Sequence, residues 1–537
     1  MVKAKVYIQL RALLSFLLCI CLIVPLLTGC SSTKNATLWV VTEQTTSDSF
    51  NYQIEIAAEA FEAEHTGVTV QIDILPTDEE EREIYLKQLR AQIMAGKGPD
   101  IYILPTSNII TIDAPSKFSQ KHFTTQLEVD PLFQDIAQAM HNGIFADISH
   151  FYDADKALET EGLVQDVMNA GVIDGHRYVL PLRYTMPIIL SDPSNYAETG
   201  INQDFLNKGI RDLTQHAIST SDTMMAIGLR LPNDTTLLSQ LYDYSKGEVL
   251  ISKQEIADYM YLYQQWYAMS EIPKNQLVAD HLEELRLALD EAFHHAFEDV
   301  LSALMVSLSL DSFNNVQAYG GYAYHWTTSG FPIYTDTLTG ALQQAGLSKV
   351  LEKELDVYPL KTYDGKTIAE ITYYGAVGAS CEYPELAYDY LRKFLTTDYQ
   401  WDLVRPRAPR ENIDIFNLPK EPQIDGFIEN SWPVRVTGSA AYLWDTLDYQ
   451  LFYDDSGLSF SKALMKQFKS LEIGDEDMPI LNTSFDEVRF PLCQPYEESL
   501  SYALTLLNNE DGTPTDVDID ELAEQVYQYL WWHLAEG

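Results

Sequence analysis

The chain has 537 residues, more than one ordinary domain uses, so two or three packed bodies are expected, with ample material for their cores. Its 79 acidic residues outweigh 35 basic ones, for a formal net charge of −44. Repulsion of that sign argues against nucleic acid and anionic lipid as binding partners, and it fits an exported, highly soluble protein.

The N-terminus reads as a targeting signal. Lys3, Lys5 and Arg11 make a positive start, Leu13 to Leu27 is almost wholly apolar, and "LLTGC" follows, with small residues where a signal peptidase cuts. The apolar run is short and wrongly flanked for a stop-transfer helix. The pentapeptide resembles a bacterial lipobox, whose cysteine, here Cys30, receives lipid and becomes the new N-terminus. Residues 1–29 are therefore expected to be a lipoprotein signal peptide, and 30–36 a polar, lipid-anchored tether. Cys19 and Cys21 leave with the signal, so Cys381 and Cys493 remain for the mature fold, either bridged or as two buried thiols. With no CxxC, redox and zinc-ribbon readings fall.

The mature chain then alternates strand and helix. "TLWVV" (37–41) reads as a buried strand, and Ile54, Ala57, Ala58 and Phe61 fall on one helical face behind it. "VTVQIDIL" (68–75) alternates with period two, the mark of a half-buried strand. Asp78 is placed to cap a helix whose first turn holds Glu79, Glu80 and Glu81, and Leu86, Leu89 and Ile93 form its apolar stripe. Gly96, Gly98 and Pro99 end that helix before the strand "DIYIL". Strand–helix–strand–helix–strand implies a parallel sheet, in which ligands bind beyond the carboxyl ends of the strands. Thr42 and Glu43 after the first strand, and Thr106 and Ser107 after the third, occupy such ends.

Residues 108–144 form a long insertion leaving one of these ends, a candidate lid. Asp174-Gly175, between apolar stretches of 171–182, signals a hairpin. Ile256, Tyr259, Met260 and Tyr263 mark a helix, while 302–310, 354–360 and 369–378 read as strands. Past Pro384, Ala387, Tyr390, Leu391 and Phe394 line a helix; a last helix, roughly 517–535, carries Leu522, Val526, Tyr529 and Leu530.

Taken in order, the lipobox, "TLWVV", "VTVQIDILP", "LRAQIMAGKGPDIYILPTS", "FADISHFYD", "GVIDGHRYVLPL" and "YYGAVGASCEYPELAYDYLRKFL" resemble a family 1 extracellular solute-binding protein of a bacterial ABC importer. The resemblance covers about 37–400, with a looser match at 511–534. It implies a two-lobed α/β fold, periplasmic-binding-protein-like, each lobe a mostly parallel sheet flanked by helices and joined by hinge crossings. Lobe one would comprise 37–187 and 373–435, and lobe two 188–372 and 436–537, with crossings near 182–188, 372–378 and 432–438. A sugar or oligosaccharide would bind in the interlobe cleft, closure would be read by ABC permease subunits, and Cys30 would tie a monomer to the outer face of the cell membrane. The insertion is longer than the resemblance leads one to expect, so site geometry does not transfer directly.

A sugar presents apolar C–H faces rimmed by hydroxyls, so its site wants aromatic platforms edged by polar groups. The candidates are Glu43, Thr106 and Ser107 at strand ends, Arg183 and Tyr184 at the first crossing, and Tyr373 and Tyr374 at the second. Adjacent strand residues point to opposite faces, so at most one of Tyr373 and Tyr374 should meet the solute directly. Asp311, Trp326 in its glycine-flanked aromatic loop, Trp432 and Arg435 complete the set. Capping, salt bridges and core packing are the ordinary alternatives for each.

Catalytic and metal signatures are poor. "GKGP" lacks the ending of a phosphate loop, and GxSxG and HExxH do not occur. His294 and Glu298 share a helical face that reads as solvated, and the acidic loop 508–520 would put Leu507 at the first calcium position. No cofactor and no metal are expected, and a receptor is favoured over an enzyme. The alternatives are a surface lipoprotein enzyme acting on glycans through a carboxylate pair, and a non-transporting adhesin or sensor.

Overall fold

Ala36–Thr42 forms β1, whose side chains are nearly all withdrawn from water. The computed structural model describes residues 36–43, 48–115, 122–191, 193, 201–229, 238, 240–270, 333–351, 356–396, 432–434, 471–492, 500–509 and 512–536. The sequence expectations at 1–35, 294–310, 311, 326, 435 and 493 lie outside them.

Helix α1 (Asp48–Glu64) lays Ile54, Ala57, Ala58 and Phe61 into the core as the spacing requires. Strand β2 (Val68–Ile74) pairs parallel to β1 as the edge of the sheet, which is why only Val70 along it is buried. Asp78 caps α2 (Glu79–Met94) by accepting a hydrogen bond from the Glu81 N–H at 3.1 Å. Gly96, at φ +67°, turns the chain out of α2 with a conformation that favours glycine, and β3 (Ile101–Pro105) returns parallel to β1. The insertion folds as an antiparallel hairpin, β4 (Ile109–Pro115) with β5 (His122–Glu128), followed by α3 (Ile136–His141).

The Asp174-Gly175 hairpin is present as β6 (Val172–Ile173) and β7 (His176–Arg177), with both turn residues at positive φ. Next come β8 (Val179–Thr185) and, after the single residue Met186, β9 (Pro187–Ser191). That residue separates two sheets. Sheet one runs β15 (Trp432–Pro433), β8, β14 (Ile368–Val377), β3, β1, β2, with the short β16 (Glu487–Arg489) also on β14. Sheet two has β9 between β12 (Ile333–Thr337) and β13 (Asp356–Pro359).

Pairing is parallel among β1, β2 and β3 and between β14 and β16; β14 runs antiparallel to β3 and β8, so sheet one is mixed around a parallel core. Sheet two is antiparallel in its described strands, because β9 is flanked by strands that both run back toward sheet one. The chain re-enters sheet one between Leu360 and Ile368, and all of β14 belongs to that sheet, ahead of the 372–378 crossing anticipated from sequence.

Two hydrophobic clusters hold this together. Core one packs sheet one against α1, α2, α3 and α7 (Pro384–Lys393), in which Ala387, Tyr390 and Leu391 are buried as spaced. It continues through Met186 to one face of sheet two, where Ile188 and Leu190 meet Leu338, Ala341 and Leu342 of α6 (Leu338–Leu351). Ile189 points the other way, into core two, against α4 (Ile210–Thr220), the helical stretch 253–270 and the C-terminal helix α9 (Ile519–Glu536). Between α4 and α6 lie α5 (Thr223–Gly228) and the small hairpin β10 (Tyr242–Asp243) with β11 (Glu248–Val249); α8 (Leu500–Thr505) precedes α9. Among the described residues no helix is long and apolar enough to cross a membrane.

Candidate functional site at the strand crossing

Glu43 follows β1 at its carboxyl end and is 3% exposed. Both its oxygens accept from Arg82, at 2.8 and 2.7 Å, and the same guanidinium donates to the carbonyls of Pro76 and Asp130. The group therefore braces β1, α2 and the insertion stem. Arg82 stands four residues before Leu86 on the buried stripe of α2, a position where a charge signals a buried partner.

Thr106 is also committed to the fold. Its N–H donates to the carbonyl of Thr372 at 2.9 Å, and its hydroxyl to that of Ile371 at 2.6 Å, extending the β3–β14 ladder by one residue. Ser107 is exposed, and its Oγ accepts from the Ile109 N–H at 3.0 Å, turning the chain into the hairpin.

The crossing residues come together across three strands. Arg183 pairs with Tyr373, and Tyr184 with Ile371 and Trp432, so these sets occupy opposite faces of sheet one. A bulge at Thr372 interrupts the register between them. On the first face, Arg183 is half-buried with its guanidinium 6.0 Å from the centroid of the Tyr373 ring, and Thr185 and Glu370 pair on the same face nearby. Glu370 is buried and bound to Arg489 at 3.2 Å, and Arg489 also donates to the Leu238 carbonyl, tying β14 and β16 to the chain near core two.

The second face is aromatic. Tyr184 is 3% exposed, packs edge-to-face on Phe485 and has its phenol pushed up by burial, so it stays protonated. Trp432 lies beside it, 1% exposed. Tyr374 is fully buried between Phe145 and Phe490, with centroids at 6.3 and 6.0 Å, which makes it a core ring, whereas Tyr373 turns to the opposite side.

Three buried polar atoms around this crossing, Thr185 Oγ1, Thr372 Oγ1 and Trp432 Nε1, have no hydrogen-bond partner among the described residues. Sequence reading passed over both threonines because a threonine within an apolar strand is ordinary. The structure thus brings Arg183 and Tyr373 together on one face where β3, β14, β8 and β15 meet, buries Tyr184, Tyr374 and Trp432 on the other, and uses Glu43, Thr106 and Ser107 as local braces; Asp311, Trp326 and Arg435 lie outside the described residues. Cation, ring and hydroxyl side by side can hold a neutral, hydroxyl-bearing molecule. Among the described residues no three His, Cys, Asp or Glu side chains are grouped to hold a metal ion. Leu507, which would head a calcium loop, is instead buried in core two.

Solved structures similar to the chain include an extracellular solute-binding protein family 1 member from Alicyclobacillus acidocaldarius, at 12% identity and TM-score 0.40, covering 93% of this chain and 99% of that one. An ABC substrate-binding protein from Listeria monocytogenes in complex with cycloalternan is 10% identical with TM-score 0.41, covering 94% and 100%. A solute-binding protein of an ABC transporter from Thermotoga lettingae, bound with alpha-D-tagatose, is 13% identical with TM-score 0.39, covering 92% and 100%. No protein-family model and no curated protein matches the chain. At these TM-scores the likeness carries no assignment, and the site stands on its own residues.

Proposed function

We propose that the protein is a lipid-anchored extracellular solute-binding protein of an ABC importer, which takes a carbohydrate-like solute at the crossing between its two sheets and presents it to a membrane permease. The observation that carries the reading is the crossing itself: β8 passes to β9 through Met186 alone, the chain returns between β13 and β14, and Arg183 faces Tyr373 on the strands that cross. A solute touching both bodies would favour their closed arrangement and shift the population toward it. Within this reading lobe one takes 37–187 and 373–435, lobe two takes 188–372 and 436–537, and Cys30 carries the anchor.

The test is thermal shift of the soluble chain 31–537 against mono- and oligosaccharides, amino sugars and polyols, with product analysis of every hit. A stabilising ligand recovered unchanged supports a receptor; a cleaved one moves a glycan-acting enzyme to first place. Arg183→Ala should weaken binding of a hit roughly tenfold or more, the size of a lost hydrogen bond from a charged donor. Unchanged affinity by calorimetry would remove Arg183 from the site.

A further inference from the structure

Away from the crossing, the helix at the end of the insertion meets the C-terminal helix through a buried polar cluster. Asp135 is 4% exposed and caps α3, its Oδ1 accepting from the Gln138 N–H at 2.9 Å. Its other oxygen accepts from the hydroxyl of Tyr244, next to β10, and lies 3.7 Å from Nε2 of His533, near the end of α9. Gln138 Nε2 donates to the His533 carbonyl at 3.2 Å. The flanking residues Leu132, Ile136 and Met140 pack in core one, whereas Tyr242, Val526 and Leu530 pack in core two, so the cluster joins the two cores.

His533 Nε2 and Tyr242 OH are both buried without a hydrogen-bond partner among the described residues. At 3.7 Å the imidazole is within ion-pairing reach of Asp135 but roughly 1 Å beyond a charge-assisted hydrogen bond. The other titratable groups around it are Tyr242 and Tyr529, with centroids 5.7 and 6.4 Å from the His533 ring, and His141, 6.4 Å from the Tyr244 ring. Burial, then the charge of Asp135, keeps the Tyr242 hydroxyl protonated, so it does not compete as a base. Among the described residues His533 is the one basic side chain paired with Asp135.

We propose that Asp135, Tyr244 and His533 form a proton-operated latch between the insertion and the C-terminal helix, drawn tight when His533 is charged and loosened when it is neutral. Histidine is the side chain whose charge ordinarily changes between pH 5 and 8. The ring nitrogen that faces Asp135 has no hydrogen bond among the described residues, so a charged imidazolium there would gain that carboxylate as its counterion. As a control on opening, the latch rests on the reading of the chain as two hinged bodies. It also assigns the insertion a fastening role on the core-two side.

The test needs no solute. Hydrogen exchange, corrected for intrinsic rate, is followed at amides of 242–249 and 519–536 at pH 5.5 and 8.0. The wild type should lose roughly tenfold protection on raising the pH, as expected for a lost bond to a charged group. His533→Gln should abolish that difference; Tyr244→Phe, which keeps the ion pair, should retain it at lower overall protection. A pH difference unaltered in His533→Gln would overturn the proposal. A spin-label pair at Lys87→Cys and Asp212→Cys reads the separation of the bodies: a distribution that shifts with pH supports the latch, and one that stays fixed overturns it as a control on hinging. Solute binding can fail in either case without touching these readouts.

Discussion

Glu43 and Arg82 have side chains 5% and 3% exposed, so each has given up its water for the other. Arg82→Met would take the guanidinium away from a buried carboxylate, at about 3 to 5 kcal/mol of stability, whereas Glu43→Leu together with Arg82→Met should recover most of the loss. Urea unfolding of the two variants checks this; equal losses would mean that the carbonyls of Pro76 and Asp130, not the pair, need the guanidinium. Cys381 offers a second residue-scale outcome. It is a free thiol pushed up to about 12 by burial and by the neighbouring charge of Asp100. In a Cys493→Ser background, native alkylation at pH 8 should run at least about a hundredfold slower than for an ordinary thiol, and accelerate with rising pH. The unfolded thiol ionises first, so stability should fall as pH climbs from about 9 toward about 12. Sequence could nominate Glu43 and Thr106 as strand-end residues but not say where they point. Their partners are Arg82, 39 residues on, and the carbonyl of Ile371, 265 residues on, and no local pattern encodes such distances.

Elements whose cause is local were the legible ones. Asp174-Gly175 needs two positive φ values and obtains them; Pro384 opens a helix; the α1 face buries the residues its spacing selects. The β4–β5 hairpin and the three-residue β16 were not foreseen, because an insertion between polar turns has weak periodicity and a three-residue strand has none. The close approach at the end of β14 was equally invisible. Gly378 donates its N–H to Asp100 O at 2.8 Å, and an added Cβ would stand 2.1 Å from the carbonyl oxygen of Pro99. Gly378→Ala must therefore push β14 and the entry to β3 apart. A loss of about 1 to 3 kcal/mol is expected from such overpacking, and an unchanged melting temperature would mean that the Pro99 turn yields freely.

For the molecule as a whole, the two-sheet plan was legible because strand and helix alternate clearly before residue 105, and because one strand pair leads straight from the first sheet into the second. Directions in sheet two were harder, since short apolar runs such as 356–359 do not reveal whether their neighbour runs with or against them. The anchor belongs to this scale. Cys30→Ala should move the protein from the membrane fraction to the medium, measured by fractionation, and retention would sink the lipobox reading.

The position of β14 also sets the order in which the protein can be completed. Strand β14 lies between β3 and β8 yet follows both in the chain by more than a hundred and fifty residues. A chain emerging from its N-terminus presents β3 and β8 long before the strand that joins them exists. In that interval each has a bare edge, the kind of surface on which chains pair with one another. The hazard in making this protein is thus a matter of timing: it opens with β3, whose bare edge is covered only when residue 377 arrives, and for β8 it lasts until β15.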